Sequence, residues 1–196
     1  MFTSKEVMQL AEAIRLEDTP TYEHCLRTAK YAAAYAQFVG MTDDKIRYLY
    51  QGMLLHDIGK IKIPQNILYK TGYLSPEEYA AIHRHPVLGL DEVSVFRLPK
   101  DISDIILYHH ERWNGTGYPD GLKGEEIPLP ARIAAVTDSY DAITSRRPYR
   151  RTLTYEEGLA ELERGAGTQF APDVVANFIA AFTMERSMDC AEYLYQ

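Results

Sequence analysis

Residues 42–60 read TDDKIRYLYQGMLLHDIGK, a stretch that begins polar and ends in a histidine beside an aspartate. Its apolar residues recur at helical spacing, at Ile46, Leu49, Met53 and Leu54. This periodicity predicts an amphipathic helix that begins after the N-cap residue Thr42. Adjacent residues on a helix point about 100° apart, so His56 and Asp57 can both reach one point only where the helix frays. We therefore expect the end of this helix to deliver an imidazole and a carboxylate to the same place.

Helix signals recur along most of the chain. Start signals precede apolar runs at Thr3-x-x-Glu6, Ser75-Pro76-Glu77-Glu78 and Thr154-x-x-Glu157. Further helices are predicted over about residues 21–39, 101–110 and 131–145, and after Pro172. We expect Pro86 to end or kink the helix that starts at Ser75, just after His85.

The segment 114–130 is rich in glycine and proline and predicts a loop. The sequence contains no strand pattern, no internal repeat and no linker-like stretch. A chain of 196 residues is long enough to bury a substantial core. These features together predict one all-α domain, a single-domain helical bundle over residues 1–196.

The composition of the chain limits the kinds of partner and the cellular compartment that we expect. No apolar run approaches the length of about 18 residues that spans a bilayer, and the N-terminus lacks a signal-peptide pattern. The two cysteines, Cys25 and Cys190, form no CxxC motif and suit reduced thiols, so we expect a cytoplasmic protein without membrane association. A net charge of -7 without a basic stripe argues against a nucleic-acid duplex as partner. An anionic small substrate stays compatible, because bound cations reverse the local sign.

Histidines are concentrated in unusual contexts. Five of the six stand in short motifs, joined by one further acid, namely His24, His56 with Asp57, His85, His109 with His110, and Asp138. Neutral imidazoles and carboxylates are ligands for borderline divalent metals. A lone buried histidine is more often a hydrogen-bonded core residue, so each position taken alone favours that interpretation. The sixth, His83, is expected on a solvated helix face, and Cys25 in the core.

Further polar residues surround this set. Asp141 lies three residues after Asp138 on the same helix face and is expected to hydrogen-bond a metal ligand or a water molecule. Lys60, Arg147 and Arg150 are cations placed to hold phosphate, although a surface lysine and a solvated basic turn are the alternatives. Two metals about 3.5–4 Å apart polarise a phosphoryl oxygen and generate a hydroxide for attack at neutral pH.

At these residues the chain resembles a known family. His56-Asp57-Ile58-Gly59-Lys60 resembles the HDxGK signature of the HD phosphohydrolase superfamily, and residues 109–119 resemble the HHExxDGxGYP signature of its HD-GYP branch. The resemblance continues at Asp18-x-x-Thr21-x-x-His24, His85-Pro86, Asp138-Ser139-Tyr140-Asp141-Ala142, Arg147-Pro148-Tyr149-Arg150 and Gly165-Ala166-Gly167-Thr168-Gln169-Phe170. It covers about residues 18–180, in order.

The resemblance implies a helical bundle of the HD-domain type with a metal site at its centre. It also implies a hydrolase, a phosphodiesterase that converts the bacterial second messenger cyclic di-GMP to pGpG and/or GMP by a metal-activated hydroxide. The implied metal ligands are His24, His56, Asp57, His85, His109, His110 and Asp138. Asp57 would bridge the metals and, with Lys60, act in catalysis. Lys60, Arg147 and Arg150 would contact phosphate.

The Gly117-Tyr118-Pro119 loop would lie beside the substrate cleft, and in similar proteins it also contacts GGDEF-type diguanylate cyclases.

The sequence departs from the family pattern at several positions. Pro20 stands where trinuclear members have a glutamate, so we expect a binuclear centre of two divalent transition metal ions, iron or manganese first, with nickel or zinc also fitting. Asn114 replaces the usual aspartate of the loop.

Two alternatives stay open at this point. One is an HD phosphohydrolase that acts on another nucleotide. The other is a catalytically slow or inactive module that binds cyclic di-GMP or docks a partner.

Overall fold

The computed structural model describes residues 3–145 and 152–187 of the chain. Arg147 and Arg150, which were predicted to contact phosphate, lie outside the described residues, as does Cys190.

Helices account for nearly all the regular structure of the described residues. The first half contains α1 Ser4–Glu17, α2 Thr19–Phe38, α3 Asp43–Leu55, a 3-10 helix Ile58–Lys62 and the single turn α4 Gln65–Leu68. The second half contains α5 Pro76–His83, α6 His85–Val93, α7 Lys100–Tyr108, a 3-10 helix Gly124–Glu126, α8 Leu129–Thr144, α9 Tyr155–Gly165 and α10 Pro172–Ser187. The described residues form no strand beyond two isolated bridges, so the all-α prediction is confirmed. That residues 1–196 form a single domain stays a prediction.

Local sequence signals place most helix starts correctly. The side chains of Thr3, Ser75 and Thr154 cap α1, α5 and α9, each in a capping box with a glutamate three residues on. Each box satisfies two backbone N–H groups that the first turn of a helix leaves without a partner.

The boundary near Pro86 differs from the prediction. The helix that starts after Ser75 ends at His83, and a new helix, α6, begins at His85 with Pro86 in its first turn. Proline is compatible with the first turn of a helix because no backbone hydrogen bond is required of its nitrogen there. The predicted end of the first of these two helices is therefore found two residues earlier than expected, and Pro86 lies in the first turn of the helix that follows.

The core lies where α3 packs between α2 and α7, with α8 against both of these outer helices. Its fully buried side chains include Leu49, Met53 and Leu54 of α3, Ile105 of α7 and Ile133 of α8. The first three belong to the apolar stripe predicted from residues 42–60. No helix among the described residues is both long enough and apolar enough to cross a membrane.

A glycine contact joins the first 3-10 helix to α6. A Cβ atom placed on Gly59 would lie 1.9 Å from the carbonyl oxygen of His85 and 2.5 Å from the backbone nitrogen of Gly89. Only a residue without a side chain permits this approach, because real Cβ atoms do not come so close to backbone. The contact fixes the start of α6, and with it His85, close to Asp57.

Candidate metal centre

All seven histidines and aspartates predicted as metal ligands lie together at the centre of the bundle. Their ligand atoms form two groups, within each of which the atoms lie no more than 4.8 Å apart. One group contains Asp57, His85, His109 and His110, and the other contains His24, His56 and Asp138. Helices far apart in sequence supply them, which is how helical bundles build metal sites.

Helix ends resolve the problem of adjacent ligands. His56 is the C-cap residue of α3, and Asp57 leaves helical geometry before the 3-10 helix begins. His109 likewise is the C-cap residue of α7, and His110 follows it in a turn. Because the chain turns away from the helix at both points, neighbouring side chains can face the same space.

Asp57 lies between the two groups. Its Oδ1 atom is 3.3 Å from His85 Nε2 and 3.9 Å from His109 Nε2. Its Oδ2 atom is 3.4 Å from His56 Nε2 and 3.9 Å from His24 Nε2. One carboxylate thus presents a different oxygen to each group, which is the arrangement that a bridging ligand requires.

Hydrogen bonds on the outer nitrogen orient four of the histidine rings. The Nδ1 atoms of His56, His85 and His109 lie 2.6–3.1 Å from the backbone carbonyl oxygens of Met53, Ile82, Ile105 and Ile106. The Nδ1 atom of His24 lies 2.7 Å from Asp141 Oδ2. An acceptor at Nδ1 selects the tautomer with its proton there, so the Nε2 lone pair points inward as a metal ligand.

The inward-facing atoms fit a cation. His85 Nε2 and His109 Nε2 face each other at 3.1 Å, and in the selected tautomers both carry lone pairs. His56 Nε2 and Asp57 Oδ1 are buried with no hydrogen-bond partner in the described structure. Buried polar atoms are nearly always satisfied, and crowded lone pairs repel. Imidazole nitrogens and carboxylate oxygens without partners are the donor set that divalent transition metals bind.

The protonation states agree with this chemistry. Burial lowers the pKa of His56, His109 and His110, the last to about 3, so these rings are neutral at pH 7. Burial opposes ionisation of Asp57 and Asp138, but their basic neighbours outweigh it and hold both carboxyl pKa values below the usual range. For Asp57 the largest of these contributions comes from Lys60, whose Nζ lies 2.6 Å from Oδ2.

His24 differs from the other rings. Burial would lower its pKa, but hydrogen bonds to Asp138 and Asp141 raise it to about 9. Its Nε2 lies 2.9 Å from Asp138 Oδ1, which is a predicted ligand itself. Metal binding at this group would therefore release a proton from His24, and affinity should fall with falling pH.

Asp141, which holds the His24 ring, is itself held by Arg27, a residue that the sequence analysis did not single out. The guanidinium of Arg27 donates to both oxygens of Asp141, from Nε to Oδ1 at 2.7 Å and from Nη2 to Oδ2 at 2.9 Å. Such a two-point pair fixes the carboxylate firmly. Arg27 lies three residues after His24 on α2, so helical spacing was a signal that could have found it.

Replacing Asp141 with alanine should weaken metal binding about 10- to 100-fold without removing any predicted ligand. The loss would free the His24 ring and leave Arg27 without its partner. Chelator competition on the purified variant measures this. Asp91→Ala, which removes a carboxylate at an exposed position of α6, is the matched control. Wild-type metal affinity in the Asp141 variant would contradict the supporting role.

Two cavities border the cluster. One, of about 390 Å³, is lined by His109, His110, Asp138, Tyr118 and their neighbours. The other, of about 640 Å³, is lined by His24, Arg27, Lys60, Asp141 and residues at the start of α2. Lys60 therefore faces the second cavity, whereas Tyr118, in the Gly117-Tyr118-Pro119 loop, borders the first.

His83, which was predicted to lie on a solvated helix face, is half-buried. Its ring stacks on Tyr118 with centroids 3.9 Å apart and lines the smaller cavity. The sequence did not show this contact, because helical periodicity indicates which face of α5 is apolar but not which loop packs against it. Cys25, by contrast, is fully buried as expected.

Glu111 was part of a quoted motif but received no role from the sequence. Its buried Oε1 atom accepts hydrogen bonds from the backbone nitrogens of Asp120 at 2.8 Å and Gly121 at 3.0 Å. The carboxylate next to His110 thereby holds the far end of the loop that carries Tyr118.

Comparison with known proteins identifies the family to which the chain belongs. The sequence profile of the HD domain family matches residues 8–174. A cyclic di-GMP phosphodiesterase of Thermotoga maritima is 38% identical over 181 residues, which are 91% of this chain and 49% of that protein. A 3'3'-cGAMP-specific phosphodiesterase of Vibrio cholerae is 36% identical over 176 residues, which are 88% of this chain and 34% of that protein.

Among solved structures, a cyclic GMP-AMP specific phosphodiesterase of Vibrio cholerae superposes with a TM-score of 0.72 at 21% identity. The match covers 97% of this chain and 50% of that one, and it shows a shared fold. The chain spans about half the length or less of the relatives it matches.

Proposed function

This chain belongs to the HD domain family, in the HD-GYP branch that residues 109–119 indicate, and on that premise we propose that it is a metal-dependent phosphodiesterase of cyclic di-GMP. The products would be pGpG and/or GMP. The observation that carries the proposal is the position of Asp57, which offers one oxygen to each of two ligand groups. Two cations held next to each other are the arrangement that hydrolyses phosphodiesters in many unrelated enzymes.

The proposed ligands are Asp57, His85, His109 and His110 for one ion, and His24, His56, Asp138 and again Asp57 for the other. Iron or manganese is the proposed pair, and nickel or zinc suits the same donors. When bound, the two ions would supply Lewis-acid activation of the phosphoryl group and of a water nucleophile.

The remaining roles belong to side chains around this centre. Lys60 contacts Asp57 Oδ2 and also lines the larger cavity. A phosphoryl oxygen bound in that cavity next to Asp57 would therefore lie beside the lysine charge. A fixed ammonium group there stabilises the negative charge that develops during hydrolysis. Arg147 and Arg150 are proposed as further phosphate contacts on the strength of their motif alone.

The direct test is incubation of the manganese- or iron-loaded protein with cyclic di-GMP, followed by chromatography of the nucleotides. Formation of pGpG or GMP is expected, at a rate that falls when a chelator removes the metal. A protein that holds two equivalents of metal and leaves cyclic di-GMP intact would refute the proposed substrate.

A second candidate is hydrolysis of 3'3'-cGAMP. It is favoured by the Vibrio cholerae relative of that specificity, which is nearly as similar as the cyclic di-GMP enzyme. The two messengers differ at one base, so contacts around the bases would discriminate between them. Competition of both substrates at equal concentration decides which has the higher kcat/KM.

Lys60→Ala should retain both metals and lower kcat/KM for the diester about 10²- to 10³-fold, because it removes a charge placed at the reacting phosphate. Lys62→Ala is the matched control, since Lys62 on the same 3-10 helix pairs with the surface residue Glu92. Elemental analysis and steady-state kinetics measure the two effects separately. Metal loss in the Lys60 variant would show that Lys60 supports the metal site instead of the phosphate.

Two further proposals concern the cellular location of the protein and a protein partner. We propose that the protein works in the cytoplasm, which suits the free, buried thiol of Cys25. Contact with GGDEF-type diguanylate cyclases through the Gly117-Tyr118-Pro119 loop is also a proposal, and co-purification with such a cyclase would test it.

A further inference from the structure

His110 is oriented differently from the other predicted ligands. His24, His56, His85 and His109 each have an acceptor at Nδ1. Within residues 3–145 and 152–187, neither ring nitrogen of His110 makes a hydrogen bond. Without such a bond, rotation about the side-chain torsions is limited only by packing.

Aromatic packing takes the place of that hydrogen bond. The ring of Tyr118 lies over His110 with centroids 4.8 Å apart and planes inclined by 26°. On its other side Tyr118 stacks against His83, at 3.9 Å and 14°. Tyr118 is thus held between a predicted ligand and a histidine of α5.

The loop backbone fixes Tyr118 in this position. Its backbone nitrogen lies 3.3 Å from the carbonyl oxygen of His110. A Cβ atom on the preceding Gly117 would lie 2.3 Å from Arg112 N and 2.6 Å from His110 O, so the loop runs directly against the turn that carries the ligand. The Tyr118 backbone therefore has little freedom, and the remaining freedom is in its ring.

We propose that His83 is a positioning residue for the metal site, which acts by clamping the Tyr118 ring against His110. The inference rests on the proposed metal centre and adds to it a residue outside the ligand set. Stacked aromatic pairs contribute enough free energy to change an equilibrium by up to about tenfold. Removal of the clamp should therefore weaken the ion bound by His110 by a similar factor and leave the other ion unchanged.

The experiment compares the stepwise dissociation constants of Mn²⁺ for full-length variants, measured by chelator competition. His83→Ala and Tyr118→Ala should each raise one of the two constants about tenfold. His83→Phe keeps a flat ring for stacking but no ring nitrogen, and it should bind as the wild type does. Tyr73→Ala, which removes a fully exposed ring elsewhere, is the control.

A double-mutant cycle tests the route of the effect. If His83 acts through Tyr118, His83→Ala should have no further effect in a Tyr118→Ala background. Wild-type constants in either alanine variant, additive effects in the double variant, or equal weakening of both ions would each overturn the proposal. A protein that binds two Mn²⁺ ions but hydrolyses no cyclic dinucleotide would refute only the proposed function, because these measurements do not involve hydrolysis.

Discussion

Asp57→Asn should abolish hydrolysis and lower metal content in the same variant. The carboxylate faces two ligand groups with two equivalent anionic oxygens, whereas an amide offers one neutral oxygen and turns an NH₂ group toward the other group. We expect fewer than two equivalents of metal and a loss of turnover of at least about 10³-fold, equivalent to about 4 kcal/mol of activation free energy. Elemental analysis and nucleotide chromatography on one preparation measure both.

The matched control is Asp91→Asn, the same chemical change at an exposed position of α6. It should keep the metal and the rate of the wild type. If the Asp57 variant retained two equivalents of metal together with full turnover, the bridging role would be wrong.

Gly59→Ala should destabilise the protein and disrupt the metal site together. The new methyl group would overlap the carbonyl oxygen of His85 and the backbone nitrogen of Gly89, and backbone atoms cannot rotate away as a side chain can. Overpacking of this kind costs about 3 kcal/mol of unfolding free energy. For a chain of this size, that corresponds to a melting temperature lowered by about 6–12 °C. Metal affinity should also fall, because His85 must move away from Asp57.

Thermal unfolding of the metal-free protein separates the structural effect from metal loss. Gly72→Ala is the control, because a Cβ atom at Gly72 meets nothing within 4 Å. It should melt at the wild-type temperature or slightly above, since alanine restricts the unfolded chain. An unchanged melting temperature for Gly59→Ala would show that the contact between the 3-10 helix and α6 is not tight in solution.

Helix positions could be predicted because their signals are local. The periodicity of residues 42–60 and the capping boxes at Thr3, Ser75 and Thr154 depend on residues within one or two turns of one another. The short elements could not be found in this way. The 3-10 helix Ile58–Lys62 accompanies the close contact of Gly59 with α6, and no short window of sequence contains both partners of that contact.

The residues of the candidate site likewise fall into those that the sequence identified and those that it did not. Motif spacing identified seven predicted ligands, and the structure brings all seven together. It did not identify Arg27 behind Asp141, although the spacing from His24 offered a signal, or His83 behind Tyr118, because these residues contact partners 114 and 35 positions away in the chain. The side-chain types for metal chemistry are therefore apparent in the sequence, and so is Asp141, which holds the His24 ring as predicted. The backbone carbonyl oxygens that hold the other rings are not apparent there.

The sequence by itself determined the helical architecture and the chemical character of the centre, because periodicity, capping and the choice of imidazole and carboxylate are properties of short segments. Tertiary structure alone decided how the ligands divide into two groups around Asp57 and how their rings are held. Those features depend on distances between helices that meet only when the apolar faces of α2, α3, α7 and α8 are buried against one another.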